Sequence, residues 1–422
     1  MAREQKVIYT YDNFSSDVPI LMGILYIDTI RGEEIYSFEY EKEWLKKTRY
    51  PIDIDPDLPS FAGRLYPGGK NIFGIFADSS PDRWGRALIN KKERLLADKE
   101  DRKPRKLYDS DYLIGVYDET RMGGIRIKDN PDGPFLADDE ETAAPPWTSL
   151  RTLEEASRNF EKDENLLSEK WLNQLFKPGS SLGGARPKAN VTDIEGNLWI
   201  AKFPSKNDEN DVGAWEKVVH DMAKMCGLNV PESRLEKFSK YGSTFMVKRF
   251  DRDGKKRIHF ASAMTLLGKD DGVSASDGIS YLDMVAFIKA NGARPKEDLV
   301  ELWKRIVFSM AVTNTDDHLR NHGFILSENG WSLSPLYDVN PLPYGDSLSL
   351  NVNNNDNRID ADLAISTASS FGLNETQARE YANMIFKTVK ENWQELAEKY
   401  GISRAQIELM KPAFILSETQ AQ

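Results

Sequence analysis

The stretch VTNTDDHLRNHGF, residues 312–324, holds polar side chains more densely than a simple loop between two buried elements requires. It contains two of the chain's four histidines, His318 and His322, and the adjacent carboxylates Asp316 and Asp317. Asp316 and Asn321 stand in a D-x-x-x-x-N spacing, the one used in kinase catalytic loops. There the aspartate accepts the proton of the attacking hydroxyl and the asparagine amide oxygen helps to hold Mg2+. Downstream, LSPLYDV reads as a short strand ending in Asp338, where a second metal carboxylate is needed. Hard oxygen ligands on separate segments suit Mg2+, which keeps several waters and takes further ligands from phosphates. Two other readings stay open. A Zn2+ site could draw on Asp316, His318 and His322, although Asn321 and Gly323 weaken a helix there and no third histidine is close by. A structural loop whose histidines cap backbone carbonyls is the plainer alternative.

Working back from that loop, three further pieces stand in order. LWIAKF (198–203) places Lys202 inside an apolar strand, in line with Leu198 and Ile200, while Trp199, Ala201 and Phe203 share the other face. A lysine so placed must reach water or meet an anion; an edge-strand gatekeeper is the bland reading. PGSSLGGARPK (178–188) is glycine-rich, and glycines let backbone N–H groups approach an anion. It is neither a Walker A sequence nor G-x-G-x-x-G, and alone it reads equally well as a hairpin turn. Glu216, in the helix that follows, is the candidate partner of Lys202, although a solvated helical glutamate looks the same in sequence. Glycine loop, strand lysine, helix glutamate, Asp-x4-Asn and a later aspartate follow the order of the parts of phosphoryl transfer in protein kinases.

The 422 residues predict two or three domains. Hydrophobic residues make up 40%, ample for globular cores. The longest apolar runs, such as PILMGILYI (19–27), fall far short of the roughly 20 residues needed to span a bilayer. No secretion leader is visible, and Cys226 is the single cysteine, which excludes an internal disulfide and a cysteine metal cage. A cytoplasmic setting is expected. The formal net charge of −11 argues against a large nucleic-acid surface on this chain by itself. The basic run KKERLLADKEDRKPRK (91–106) reads as a solvated helix with a charged exit.

LMGILYIDT and EIYSFEY, joined by IRGEE, predict an N-terminal hairpin. SSPDRWGRALINKKERLL (79–96) predicts a capped helix. KDNPDGPFLADDEETAAPPWTS (128–149) has the composition of a linker. Val212, Trp215, Val218, Val219, Met222, Met225 and Cys226 recur at helical steps before Gly227. STFMVKRFDR (243–252) predicts a strand, and beyond about residue 279 the pattern is mainly helical, ending in a long helix over 376–400. Strands first and helices after predict an α+β, bilobal, protein-kinase-like fold with a cleft between its lobes.

The segments SSLGGARPKA, IAKFPS, WEKVVHDMAKMCGLNVPES, FMVKRFDR, NTDDHLRNHGFIL and LSPLYDVNPLPYGD resemble the HipA-type serine/threonine kinases, the kinase components of bacterial toxin–antitoxin pairs. GEEIYSFEYEKEWL is similar to that family's amino-terminal domain. The resemblance implies an amino-terminal domain over 1–127, a linker over 128–149, a sheet-containing lobe with the glycine loop over 150–252, and a helical catalytic lobe over 253–422. It implies an ATP- and Mg2+-dependent protein kinase with Asp316 as base and Asn321 and Asp338 as metal ligands. Lys202 would contact nucleotide phosphates, oriented by Glu216, with His318 as a phosphate neighbour and the backbone at Lys248 and Phe250 meeting adenine. Ser181, with Ser180 as second choice, would be the site of inactivating autophosphorylation, and Gly183, Gly184 and Ala185 would lie over the phosphates. The expected partners are a protein substrate and a small DNA-binding antitoxin of the HipB type, a basic partner for an acidic chain. A nucleotide-binding scaffold with little turnover and a small-molecule phosphotransferase are the alternatives. Asp317 departs from the family pattern: beside Asp316 it either raises one carboxyl pKa or points into solvent.

Overall fold

The computed structural model describes residues 4–47, 53–136, 144–162, 169–179, 181 and 184–420. The chain forms two compact units, one from residues 1–207 with 246–261, the other from residues 208–245 with 262–422.

In the first unit, strands β1 (Glu4–Asp12), β2 (Ile20–Ile30), β3 (Glu33–Tyr40), β4 (Arg64–Leu65) and β5 (Ile125–Lys128) form a sheet in the order β4-β3-β2-β1-β5. The expected hairpin is β2–β3. Ile30 pairs with Glu33, so Arg31 and Gly32 alone make the turn, both at positive φ (55° and 83°). That is the backbone a two-residue hairpin needs to match strand twist, and Gly32 supplies half of it at no steric cost. Alternation then sends Leu25, Ile27, Tyr36 and Phe38 into the core.

The helix Arg83–Lys99 buries Trp84, Leu88, Ile89 and Ala97. The basic stretch that leaves it is not simply solvated. Arg102 and the backbone N–H of Arg105 both return to Glu93, which is itself buried.

Strands β6 (Lys188–Thr192) and β7 (Leu198–Lys202) pair antiparallel. One face of the pair is apolar, with Ala189, Val191, Trp199 and Ala201 buried. The other carries Lys188, Asn190 and Lys202.

In the second unit, the helix Val212–Met225 is capped by Asp211, whose side chain accepts from Ala214 N and from Ser243 N and Oγ. Gly227, at φ +73°, ends the helix as its sequence predicts. Strand β8 (Ser233–Ser239) precedes β9 (Gly242–Lys248), along which the chain passes from the second unit into the first. The strand expected over 243–252 therefore stops at Lys248. Arg249 and Asp251 turn inward there, and only the short strands β10 (Arg252–Asp253), β11 (Lys256–Arg257) and β12 (Phe260–Ser262) follow.

The rest of the second unit is mainly helical. The helix Pro295–Ala311 starts with proline at its first position and buries Leu299, Leu302, Trp303, Ile306, Val307 and Met310. The expected long helix spans Glu375–Lys399, with Trp393 stacked on Phe414. Between them, β13 (Gly323–Ser327) and β14 (Gly330–Leu333) form a hairpin. The strand thus ends at Leu333, not at Asp338; Pro335 has no N–H to continue a ladder. Among the described residues no helix is long and apolar enough to cross a membrane.

Candidate nucleotide and phosphoryl-transfer site

In the first unit the glycine loop lies on the polar face of β6–β7. Asn190 donates its side-chain amide to Ser181 Oγ at 3.0 Å and to Pro178 O at 2.9 Å. Its amide oxygen accepts from Arg249 Nη1 at 2.8 Å. Ser181 is buried, Gly184 is half-buried at φ +75°, and Ala185 is exposed. Ser180 and Gly183 lie outside the described residues.

Gly184 is held on both sides by the start of the helix Arg83–Lys99. Its N–H donates to Asp82 Oδ2 at 3.3 Å and its carbonyl accepts from Trp84 N at 2.9 Å. A Cβ at Gly184 would come within 2.6 Å of Lys188 Nζ, so the loop passes directly over that ammonium group.

Lys202 is buried, and Lys188 is its direct cross-strand partner. Residues directly opposite on an antiparallel pair project from the same face. Two ammonium groups therefore share the face beneath the glycine loop. Such a pair can meet an anion that carries more than one charge.

Past β9, Lys248 and Phe250 are half-buried while Arg249 and Asp251 point inward. Asp251 meets Arg249 Nη2 at 2.6 Å and Arg252 Nη1 at 2.8 Å, and accepts the N–H of Gly123 at 2.8 Å. Burial pushes its carboxyl pKa up, but the guanidinium groups of Arg249 and Arg252 outweigh burial and hold it well below the ordinary range. Arg249 also donates to Thr120 O. The side chains of the RFDR motif thus anchor the segment 119–123.

In the second unit the loop after the helix Pro295–Ala311 carries Asp316, which is exposed. Asn321 donates its side-chain amide to Asp316 O at 2.8 Å. That bond uses the amide nitrogen and does not engage Oδ1, a hard oxygen of the kind Mg2+ takes. Asp338 is brought alongside by its neighbours. Tyr337 donates its hydroxyl to Arg320 O at 2.7 Å, and Leu342 N donates to Thr313 O at 3.2 Å. Segment 337–342 therefore runs beside 313–320. Asp338 has φ +57°, a left-handed backbone that costs a residue with a Cβ. The structure thus brings Asp316, Asn321 and Asp338 into one loop cluster. His318 Nε2 lies 3.8 Å from Asp316 Oδ1. Glu216 is buried in the helix Val212–Met225.

Asp317 does not point into solvent, and its own carboxyl is not the one raised. It is buried, bonded by Tyr281 Oη at 2.6 Å, with His322 Nε2 2.8 Å away. Burial raises its carboxyl pKa, but His322, Tyr281 and Ser309 together overcome burial and leave it lowered. His322 is thereby turned away from the Zn2+ arrangement with Asp316 and His318. No group of three His, Cys, Asp or Glu side chains suited to a metal gathers among the described residues. One amide oxygen and one carboxylate remain, a donor set that suits Mg2+ completed by water and phosphate.

The chain matches the model of the HipA-like C-terminal domain over residues 180–393, about half its length. The chain belongs to the HipA-like family. Among curated relatives, a Haemophilus influenzae protein named "Putative kinase" is 28% identical over 188 residues, 39% of this chain and 54% of the relative. The "Serine/threonine-protein kinase toxin HipA" of Shewanella oneidensis is 25% identical over 262 residues, 54% of this chain and 59% of the relative. The chain spans about half the length of the curated relatives it matches. A solved structure of Shewanella oneidensis HipA with HipB and operator DNA has the same fold. It superposes with a TM-score of 0.69 at 17% identity, over 98% of this chain and 96% of that one. The sheet-rich amino-terminal region and the helical carboxy-terminal region of this HipA-like protein follow that fold.

Sequence reasoning missed Lys188, Asn190 and Tyr281, and gave His322 to a metal rather than to Asp317. Lys188 had one local signal, polar residues at 188 and 190 alternating with Ala189 and Val191, but its pairing with Lys202 needs the register.

Proposed function

We propose that this HipA-like protein is an ATP- and Mg2+-dependent serine/threonine protein kinase that passes the γ-phosphoryl group of ATP to a protein hydroxyl. The observation that carries the reading is the loop cluster of the second unit, with Asp316 outward, the Asn321 amide oxygen left open by the bond to Asp316 O, and Asp338 alongside. Asp316 accepts the proton of the attacking hydroxyl as the bond to the γ-phosphorus forms, and ADP leaves. Asn321 and Asp338 hold Mg2+, which neutralises charge on the phosphates. In the first unit Lys188 and Lys202 grip phosphate oxygens beneath Gly183, Gly184 and Ala185, and the backbone at Lys248 and Phe250 meets adenine. Glu216 and His318, in the second unit, are the further residues proposed for the nucleotide machinery.

Autophosphorylation at Ser181 would switch the enzyme off, with Ser180 as the second choice. A HipB-like DNA-binding antitoxin is the proposed partner; the Shewanella HipA structure contains such a complex, and a net charge of −11 suits a basic partner. The cytoplasm is the proposed location, where a single buried cysteine, its thiol pushed up to about 12 by burial, stays reduced.

The test is phosphate incorporation from labelled ATP with Mg2+, followed by comparing phosphoproteomes of cells expressing wild type and Asp316→Ala. The variant should lose a factor of about 100 to 10,000, as loss of a general base does. Equal labelling by the two proteins removes Asp316 as the base.

A further inference from the structure

Two links of equal span cross the loop 316–322, one residue apart. Asn321 reaches Asp316 O, and His322 Nε2 stands 2.8 Å from Asp317 Oδ1, close but poorly aligned as a hydrogen bond. The two differ in burial: the Asp316 side chain is 75% exposed, whereas those of Asp317 and His322 are 4% and 1% exposed.

The inner link is fastened to other elements. Asp317 Oδ2 accepts from the hydroxyl of Tyr281, the first residue of the helix Tyr281–Asn291. The Tyr281 ring stands edge-on to the His322 ring, at 5.7 Å and 86°. His322 O accepts from Ala263 N at 2.7 Å.

A carboxylate, a phenol and an imidazole are an expensive way to close a loop that apolar residues could close. What such a trio supplies is register. With Asp317 and His322 pinned inward, their preceding neighbours Asp316 and Asn321 keep fixed positions, and a slip of one residue would bury the wrong carboxylate.

We propose that Tyr281, Asp317 and His322 form a buried positioning clamp that sets the orientation of the Asp316 carboxylate and the Asn321 amide oxygen, touching neither nucleotide nor acceptor themselves. The inference rests on the reading of Asp316 and Asn321 given above. In this account the second aspartate of the DD pair is a positioning residue, not a reserve base.

The test has two arms. Hydrogen exchange on the ligand-free protein is compared for wild type and Tyr281→Phe, which removes a single hydroxyl. Amides of residues 316–322 should exchange about tenfold faster in the variant, with the rest of the chain unchanged. In the second arm, kcat for phosphate incorporation should fall about tenfold while KM for ATP stays within about twofold, and the Mg2+ concentration for half-maximal rate should rise several-fold. Combining Tyr281→Phe with Asp317→Asn should cost no more than the worse single variant, because the two act as one unit. Should Asp317→Asn fail to fold, Tyr281→Phe alone decides. Unchanged exchange in 316–322, faster exchange throughout the chain, or losses that multiply would each overturn the clamp. A wild type that incorporates no phosphate defeats the kinase reading, and the exchange arm still decides the clamp.

Discussion

Lys188 and Lys202 are direct cross-strand partners on β6 and β7, both buried and both on the face that the glycine loop covers. Charge-assisted contacts to phosphate are worth about 1.5–3 kcal/mol each. Lys188→Met should therefore weaken ATP binding about tenfold to a hundredfold, comparably to Lys202→Met. Calorimetric titration with ATP and Mg2+ measures it. If Lys188→Met binds ATP like wild type, Lys188 is no part of the phosphate grip.

Ser181 Oγ is buried and held by Asn190. A phosphate on it carries a charge of roughly −1.5 to −2 and would compete with ATP for the two lysines while breaking the Asn190 bond. After incubation with ATP and Mg2+, mass spectrometry should find phosphate on Ser181, and the modified protein should bind ATP at least about tenfold more weakly. Ser181→Ala should keep its affinity through the same incubation. Absence of phosphate from both Ser180 and Ser181 would favour a nucleotide-binding scaffold.

Parts of this architecture are legible in sequence because they are local. The β2–β3 hairpin follows from alternation around Arg31-Gly32, and Lys202 stands out because its strand is otherwise apolar. Asp316 and Asn321 are recognisable because a spacing of five closes one loop. What stayed hidden depends on distant partners. Lys188 matters through the register of β6 on β7, and Asp317 through Tyr281, which is far from it in the chain. The RFDR motif is visible as a string, but only the segment around Thr120 and Gly123 shows why Arg249 and Asp251 face inward and end the strand. LSPLYDV reads as a strand ending in Asp338, but the strand stops at Leu333, and a left-handed residue in a loop leaves no signature of its own.

Asp338 itself offers a test that separates backbone from carboxylate. At φ +57° a Cβ is disfavoured, so Asp338→Gly should be about 1 kcal/mol more stable than Asp338→Ala by urea unfolding. Both variants lose the carboxylate, and phosphate incorporation should fall about a hundredfold or more in each. If the glycine variant keeps wild-type activity, Asp338 does not hold the metal.

Asp55 makes the acid behaviour of the first unit predictable. Its carboxylate accepts from Ile75 N and Asp57 N, both at 2.9 Å, and it is fully buried. Burial is the largest influence and raises its pKa to about 6, against the opposing pull of those N–H groups and Lys70. The folded pKa exceeds the unfolded one, so between about pH 4 and 6 the folded chain keeps a proton that the unfolded chain releases. The contribution of Asp55 is thus complete below about pH 4, falls as pH rises to about 6, and is level above that. The gap corresponds to about 3 kcal/mol. Asp55→Asn cannot titrate, so its stability relative to wild type should rise by about that amount from pH 4 to pH 7, read from denaturant unfolding at each pH. A difference that stays constant across that range would mean that Asp55 titrates as an ordinary carboxylate.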